Sequence, residues 1–235
     1  VLNADDPRTR AMADLHDGPS LLFGRDESAD LGPSLVTAEL PILGDHAILT
    51  ALAALGVGRA LGMDDASINR GLANVQPEKG RLARLAGRDG STLIDDTYNA
   101  SPDATKNALD VLAGLDASRR IAVLGDMLEL GETEIEQHAD VLRYACDRAD
   151  LVFAVGPLMA RAAPEVDGVE HLATSAYLAE RLRRGGEDWP REGDVVLVKG
   201  SQGARMERVS EALLSPDLDP ADVLPRQTEA WKAIL

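Results

Sequence analysis

From about residue 81 onward the sequence predicts an α/β domain built on a doubly wound, mostly parallel sheet. Two observations carry that expectation. Short apolar runs of strand length recur at Leu93-Ile94, Ile121-Ala122-Val123-Leu124, Leu151-Val152-Phe153-Ala154-Val155 and Val195-Val196-Leu197-Val198. Helical stretches separate them, which is the repeat of short βα units. Residues 1–80 read differently: they hold too few strands for a sheet of their own and are expected to be the remainder of a domain whose beginning lies elsewhere.

Taken in order, Leu2 opens a strand end that runs into Asn3-Ala4-Asp5-Asp6-Pro7, and a loop-rich stretch follows. A strong helix is predicted over residues 46–61 and a second over 64–75. Gly56 and Gly58 each cost the first helix roughly 1 kcal/mol. Either the helix packs closely at those positions or it breaks near its C-terminal end.

Beyond residue 80, a helix begins at Pro102 and covers 103–115; others are expected over 132–149, 176–184 and 205–214. In the last, Met206, Val209 and Leu213 share one side, with Arg205, Glu207, Arg208 and Glu211 elsewhere, as on an amphipathic surface helix. The single cysteine, Cys146, falls in the helical stripe Ile135, Ala139, Leu142, Cys146, Ala149 and is read as a core thiol. The proline-punctuated stretch 216–235 is expected to be a loose tail with a short terminal helix.

Composition excludes several classes. With 40 acidic against 24 basic residues the net charge is −16, so nucleic acid is not an expected partner. No run of about 18 apolar residues exists, so no membrane span is expected, and Val1-Leu2-Asn3-Ala4-Asp5-Asp6 has neither the basic nor the apolar region of a signal peptide. The expected location is cytoplasmic. Anionic ligands must be held by local donors, and with few lysines those cations are mostly arginine.

Four segments carry possible chemistry. Leu93-Ile94-Asp95-Asp96-Thr97-Tyr98-Asn99-Ala100-Ser101-Pro102 puts two carboxylates and a polar turn at a strand end, where α/β folds bind ligands; the same residues also suit plain capping of the backbone. Leu124-Gly125-Asp126-Met127-Leu128-Glu129-Leu130-Gly131 follows a strand in the same way, although acidic residues at a helix start suit the macrodipole whatever the function. Val198-Lys199-Gly200-Ser201-Gln202-Gly203 offers an ammonium, a hydroxyl and backbone N–H groups to an anion, or is a simple glycine turn; it is not a Walker A loop. Gly44-Asp45-His46 opens the long helix and Gly80-Arg81-Leu82 follows the second. A lone histidine at a helix start is more often a cap than a catalyst, and the same caution applies to His138 beside its apolar stripe. His16 and His171 have no motif around them, and no His/Asp/Glu grouping has metal-ligand spacing.

Together these segments are specific. Asn-Ala-Asp-Asp-Pro, Gly-x-His before an Ala/Leu-rich helix, Gly-Arg-Leu, Asp-Asp-Thr-Tyr-Asn-Ala-Ser-Pro-Asp, Leu-Gly-Asp-Met-Leu-Glu-Leu-Gly and Val-Lys-Gly-Ser follow one another as in the Mur ligases. The segments around Asp96 and Asp126 resemble the member that joins D-alanyl-D-alanine to UDP-N-acetylmuramoyl-tripeptide, and resemble the folylpolyglutamate synthases less.

The resemblance implies an ATP-dependent amide ligase of peptidoglycan synthesis, working through an acyl phosphate with Mg2+, of which this chain is the C-terminal half. It implies that residues 1–80 end the central ATPase domain, that 81–215 form the C-terminal Rossmann-like domain, and that 216–235 are a tail. By the same resemblance Asp96 and Asn99 are the catalytic candidates; His46, Arg81, Asp96, Tyr98 and Asn99 bind ATP; Lys199 and Ser201 lie near the dipeptide. The phosphate loop, the magnesium-binding glutamate and the carbamylated lysine precede residue 1 in family order, and the missing N-terminal half is a possible partner in trans. Two departures bear on adenine: the family's asparagines after the Gly-x-His are Ala47 and Thr50 here, a loss worth about 1 kcal/mol each in base recognition. The stretch between Asp30 and Leu40 is also shorter than the family's usual one. These departures leave open a non-catalytic, ligase-derived binding or regulatory module.

Overall fold

The computed structural model describes every residue except His16, Glu27, Asp45, 186–189 and 234–235. The readings that fell on His16, on Asp45 and on the last two residues of the tail therefore lie outside the described residues. The chain forms two compact units, Val1–Pro77 and Glu78–Leu235.

In the first unit, β1 (Leu2–Asn3) leads to α1 (Pro7–Ala11), whose N-terminus Asp6 caps by accepting from Arg8 N. The strand β2 (Leu22–Phe23) lies parallel to β1. Two helices follow, α2 (His46–Ala60) and α3 (Asp65–Ala73), the latter capped by Asp64. Leu31, Ala51, Leu52, Leu55, Ile68 and Leu72 form the small core between them.

Close packing, not a break, explains the glycines of α2. A Cβ at Gly56 would stand 2.6 Å from Val1 Cγ1, and one at Gly58 would stand 2.7 Å from Ile68 Cδ1. The loop before α2 is pinned by Asn69, whose Oδ1 accepts from Thr37 N at 2.7 Å and whose Nδ2 donates to Leu35 O at 3.1 Å. This buried amide thereby satisfies loop groups that have no ladder of their own.

The second unit runs β3 (Ala83–Ala86), β4 (Thr92–Asp96), α4 (Pro102–Gly114), β5 (Arg120–Gly125), α5 (Glu134–Cys146), β6 (Leu151–Val155), α6 (Pro157–Ala162), β7 (Val169–Leu172), α7 (Ser175–Arg184), β8 (Val195–Lys199) and α8 (Glu207–Leu213), then α9 (Pro220–Val223) and α10 (Glu229–Lys232). The sheet order is β3-β4-β8-β5-β6-β7, parallel except for β3, which is antiparallel to β4. The helices α4, α5 and α6 pack side by side and α7 pairs with α8. Residues alternate between faces with period two: Leu93, Ile121, Val123, Val196 and Val198 join Leu178, Leu182, Val209 and Leu213 of α7 and α8 in one core. Ile94, Ala122, Leu124 and Leu197 point the other way and are fully buried too.

Several expectations are corrected. The strands β3 and β7 carry too many polar residues to read as apolar runs. Arg205 is not helical: its backbone is left-handed (φ 54°), and α8 starts two residues later with Glu207 buried rather than on a surface. The stretch after Ser215 is no loose tail, since Leu224 is buried in the core formed by α7, α8 and the sheet. Cys146, read as a core thiol, is instead half-buried outside the core, its Sγ donating to Asp167 O at 3.6 Å; burial and then Asp147 push the thiol up.

Candidate functional site

The C-terminal ends of β4, β8 and β5 meet at one rim of the second unit, and β8 enters the sheet between strands that precede it in the chain. Such a switch in strand order splays the connecting loops and opens a crevice. Adjacent carboxylates end β4, and alternation sends them to opposite faces.

Asp95 goes to the α8 side and is fully buried. Its Oδ1 accepts from Ser210 Oγ at 2.6 Å and from Thr97 Oγ1 at 2.9 Å, while Oδ2 has no partner among the described residues. Burial pushes this carboxyl up to about 6; the two hydroxyl bonds oppose the rise, neighbouring Asp96 adds to it and Arg226 offsets it.

Asp96 faces the other way, directly across from Lys199 in the β4–β8 ladder. The two form a buried ion pair at 2.6 Å. Lys199 Nζ also donates to Asn99 O at 2.9 Å, and the second Asp96 oxygen accepts from Leu82 N at 3.1 Å. The ammonium expected for an outside anion is thus neutralised internally. Through Asn99 O it is tied to the turn from Thr97 to Asn99.

That turn is held on both sides. Tyr98 N donates to Gly80 O at 3.0 Å, and the Arg81 guanidinium lies 4.3 Å from the Tyr98 ring centre, a cation–π distance. Tyr98 and Asn99 remain exposed and form one wall of a cleft of about 610 Å3. The rest of its lining is Leu128, Glu129 and Leu130 from the loop after β5, Ser201 and Gly203 after β8, and Arg205 and Trp231. The Ser201 hydroxyl accepts from Leu128 N at 2.9 Å and donates to Ala100 O at 3.3 Å, so it ties the loops after β4 and β5 together. Gly200 and Gly125 owe their small size to Met206, whose Cγ would be 2.6 Å from a Cβ at either. Gly200 is thus required by close packing against Met206.

The segment after β5 is structural at its base. Asp126 Oδ1 accepts from Met159 N at 2.9 Å and Leu158 N at 3.1 Å, capping α6. His138, fully buried, accepts from Met127 N at 2.9 Å through Nε2, which leaves Nδ1–H to donate to Glu134 O. His46 belongs to the first unit, where it is exposed at the start of α2. Thr50 spends its hydroxyl on His46 O at 3.2 Å and Ala47 is buried. Among the described residues no group of three or more His, Cys, Asp or Glu side chains is placed to hold a metal ion.

Four residues of the rim escaped the sequence reading. Arg226 donates to Thr97 O, and to Tyr98 O at 3.3 Å; Glu207 takes Arg205 at 2.6 Å and Arg226 at 3.3 Å; and Arg205 donates to Trp231 O at 2.7 Å. The one available signal was the dominance of arginine over lysine in an acidic chain.

Residues 80–202 match the Mur ligase, glutamate ligase domain. The chain is 31% identical to the UDP-N-acetylmuramoyl-tripeptide–D-alanyl-D-alanine ligase of Mycobacterium tuberculosis, over 92% of this chain and 51% of that protein. It is also 31% identical to the Bacillus subtilis ligase of the same name, over 76% of this chain and 40% of the relative. The chain thus spans about half the length of the curated relatives it matches. Among solved structures, MurF of Thermotoga maritima in complex with ADP superposes with a TM-score of 0.71 at 25% identity, covering 88% of this chain and 51% of that one. MurF of Acinetobacter baumannii shares the fold with a TM-score of 0.74, covering 89% and 50%. In sequence, in sheet topology and in the ordered motifs at its rim, this chain belongs to the Mur ligase family.

Proposed function

We propose that the chain is the C-terminal half of an ATP-dependent ligase that joins D-alanyl-D-alanine to UDP-N-acetylmuramoyl-tripeptide in the cytoplasm. The observation that carries this reading is the 31% identity across 92% of the chain to a ligase of that name. In the chemistry it implies, the tripeptide carboxylate attacks the γ-phosphorus of ATP and ADP departs. The dipeptide amine then attacks the acyl carbon, and phosphate leaves as the amide forms. Magnesium would offset charge on the phosphates; the described residues offer no ligand set for it, and no step below runs through it.

This half contributes positioning, the main catalytic resource of such transfers. Asp96 and Lys199 fix the turn that presents Tyr98 and Asn99 to the cleft. In this reading Arg81, Tyr98 and Asn99 meet nucleotide or acyl phosphate. Ser201 borders the dipeptide, and Lys199 acts through the turn. His46 serves the adenine side from residues 1–80, the end of the central domain.

The test supplies the N-terminal half of a related ligase, in trans or by fusion, and follows ATP-dependent joining of the dipeptide. Activity in a well-folded reconstitution, lost with Asn99→Ala, is the expected result; a folded but inert reconstitution overturns the reading. A second reading, a binding module that has left catalysis, draws on Ala47 and on the Thr50 hydroxyl that is bonded within its own helix. It predicts dipeptide or nucleotide binding with no turnover in any reconstitution.

A further inference from the structure

The rim contains a second ionic assembly, separate from Asp96 and Lys199. Glu207 sits at its centre with its side chain 2% exposed, gripping Arg205 (8%) at 2.6 Å and Arg226 (6%) at 3.3 Å. Asp95, fully buried, feels the charge of Arg226. One carboxylate thus stands against two guanidiniums in a region from which water is largely removed, and a buried charge persists only where partners hold it.

Both arginines reach outward from this hub. Arg226 donates to the carbonyls of Thr97 and Tyr98, and its guanidinium lies 5.9 Å from the Tyr98 ring. Arg205 donates to Trp231 O and lies 5.7 Å from the Trp231 ring. Each arginine has a left-handed backbone, φ 57° at Arg226 and φ 54° at Arg205. Non-glycine residues keep that conformation only where surrounding contacts over-determine it.

We infer that Arg226 and Glu207 are positioning residues, and that the C-terminal segment through Trp231 is a working wall of the cleft. Arg226 sets the carbonyls on either side of Tyr98, and so the aim of Tyr98 and Asn99 into the cleft. Glu207 locks Arg226 to Arg205, which in turn holds Trp231 in the lining of the same cleft. The segment after Ser215 thereby couples the turn after β4 to the Trp231 part of one lining. Its relevance to dipeptide and ATP rests on the proposed function; its relevance to the turn does not.

The test uses the full chain with Arg226→Gln, Arg226→Lys and Trp231→Ala, read by hydrogen–deuterium exchange and by calorimetric titration with D-alanyl-D-alanine and with ATP. Arg226→Gln is expected to speed exchange together in peptides covering 97–100 and 225–233, and to weaken whichever ligand binds by roughly 10-fold, the worth of a charge-assisted hydrogen bond. Arg226→Lys, which keeps the charge toward Glu207, recovers part of both effects. Trp231→Ala weakens the ligand while leaving exchange at 97–100 unchanged. Faster exchange confined to 225–233, or unaltered affinity in both Arg226→Gln and Trp231→Ala, overturns the inference. If the unaltered chain binds neither ligand, the proposed function loses support, and the coupled exchange alone decides for or against the clamp. Should Arg226→Gln fail to fold, Arg226→Lys and Trp231→Ala make the same decision.

Discussion

Replacing Asp96 by Asn isolates the ion pair at the rim. The amide is nearly isosteric, and its Oδ1 can keep the bond from Leu82 N. What changes is the charge facing Lys199 Nζ, now an NH2 group where a carboxylate oxygen stood at 2.6 Å. Lys199 is left with Asn99 O as its acceptor, at 2.9 Å, and a side chain only 3% exposed. Breaking a buried pair on one side costs about 3–5 kcal/mol. The lower figure applies here, because Asp96 is 11% exposed and one carbonyl remains. For a unit of this size each kcal/mol moves Tm by about 2–4 °C, so the expected drop is roughly 6–12 °C. The assay is a urea titration with a thermal melt on Asp96→Asn, Lys199→Met and their combination. The double variant, with neither charge of this pair left, should recover to within about 1.5 kcal/mol of the original chain. A loss below about 1 kcal/mol for Asp96→Asn, or a double variant as unstable as the two losses added, refutes the reasoning.

Asp95 gives the opposite pH signature to an ordinary paired carboxylate. Held at about 6, above the ordinary aspartate range near 4, it binds its proton more tightly when folded, so its contribution falls as pH rises from about 4 to 6 and costs about 3 kcal/mol above that. Stability of the original chain minus that of Asp95→Asn, from urea midpoints at several pH values, should fall through that window; a difference that rises there contradicts the assignment. Gly156→Ala should lower stability by about 1–3 kcal/mol, because φ is 117° and the new methyl would lie 2.7 Å from the Asp126 carboxylate that caps α6. Gly71→Ala, with no atom within 4 Å of the new methyl, should instead stabilise α3 by up to about 1 kcal/mol; equal effects of the two alanines would count against both arguments.

What could be read from the sequence follows from how each element is buried. The strands β4, β5, β6 and β8 lie inside the sheet and are covered on both faces, so their apolar runs stand out. The edge strands β3 and β7 expose Arg84, Glu170 and His171 and carry no such run. The residues of the Asp95–Asn99 turn were legible as a site, but their division of labour was not. Which of two adjacent carboxylates faces Lys199 depends on register, and register depends on a strand about a hundred residues away. Glu207 misled for a related reason. Charge at the start of an amphipathic helix reads as surface until a distant segment folds over it, and Arg226 lies beyond the last recognisable motif.

The reversed direction of β3 also has a mechanical meaning. Had the first strand been parallel, the chain would enter this unit at the far end of the sheet, a strand length from the cleft. Because β3 runs backward, the incoming residues arrive at the rim itself: Gly80 O holds Tyr98 N at 3.0 Å, and Leu82 N holds Asp96 at 3.1 Å. The segment ahead of Ala83 is therefore bonded directly to the groups that begin the turn, the Tyr98 amide and the Asp96 carboxylate, rather than through the body of the sheet.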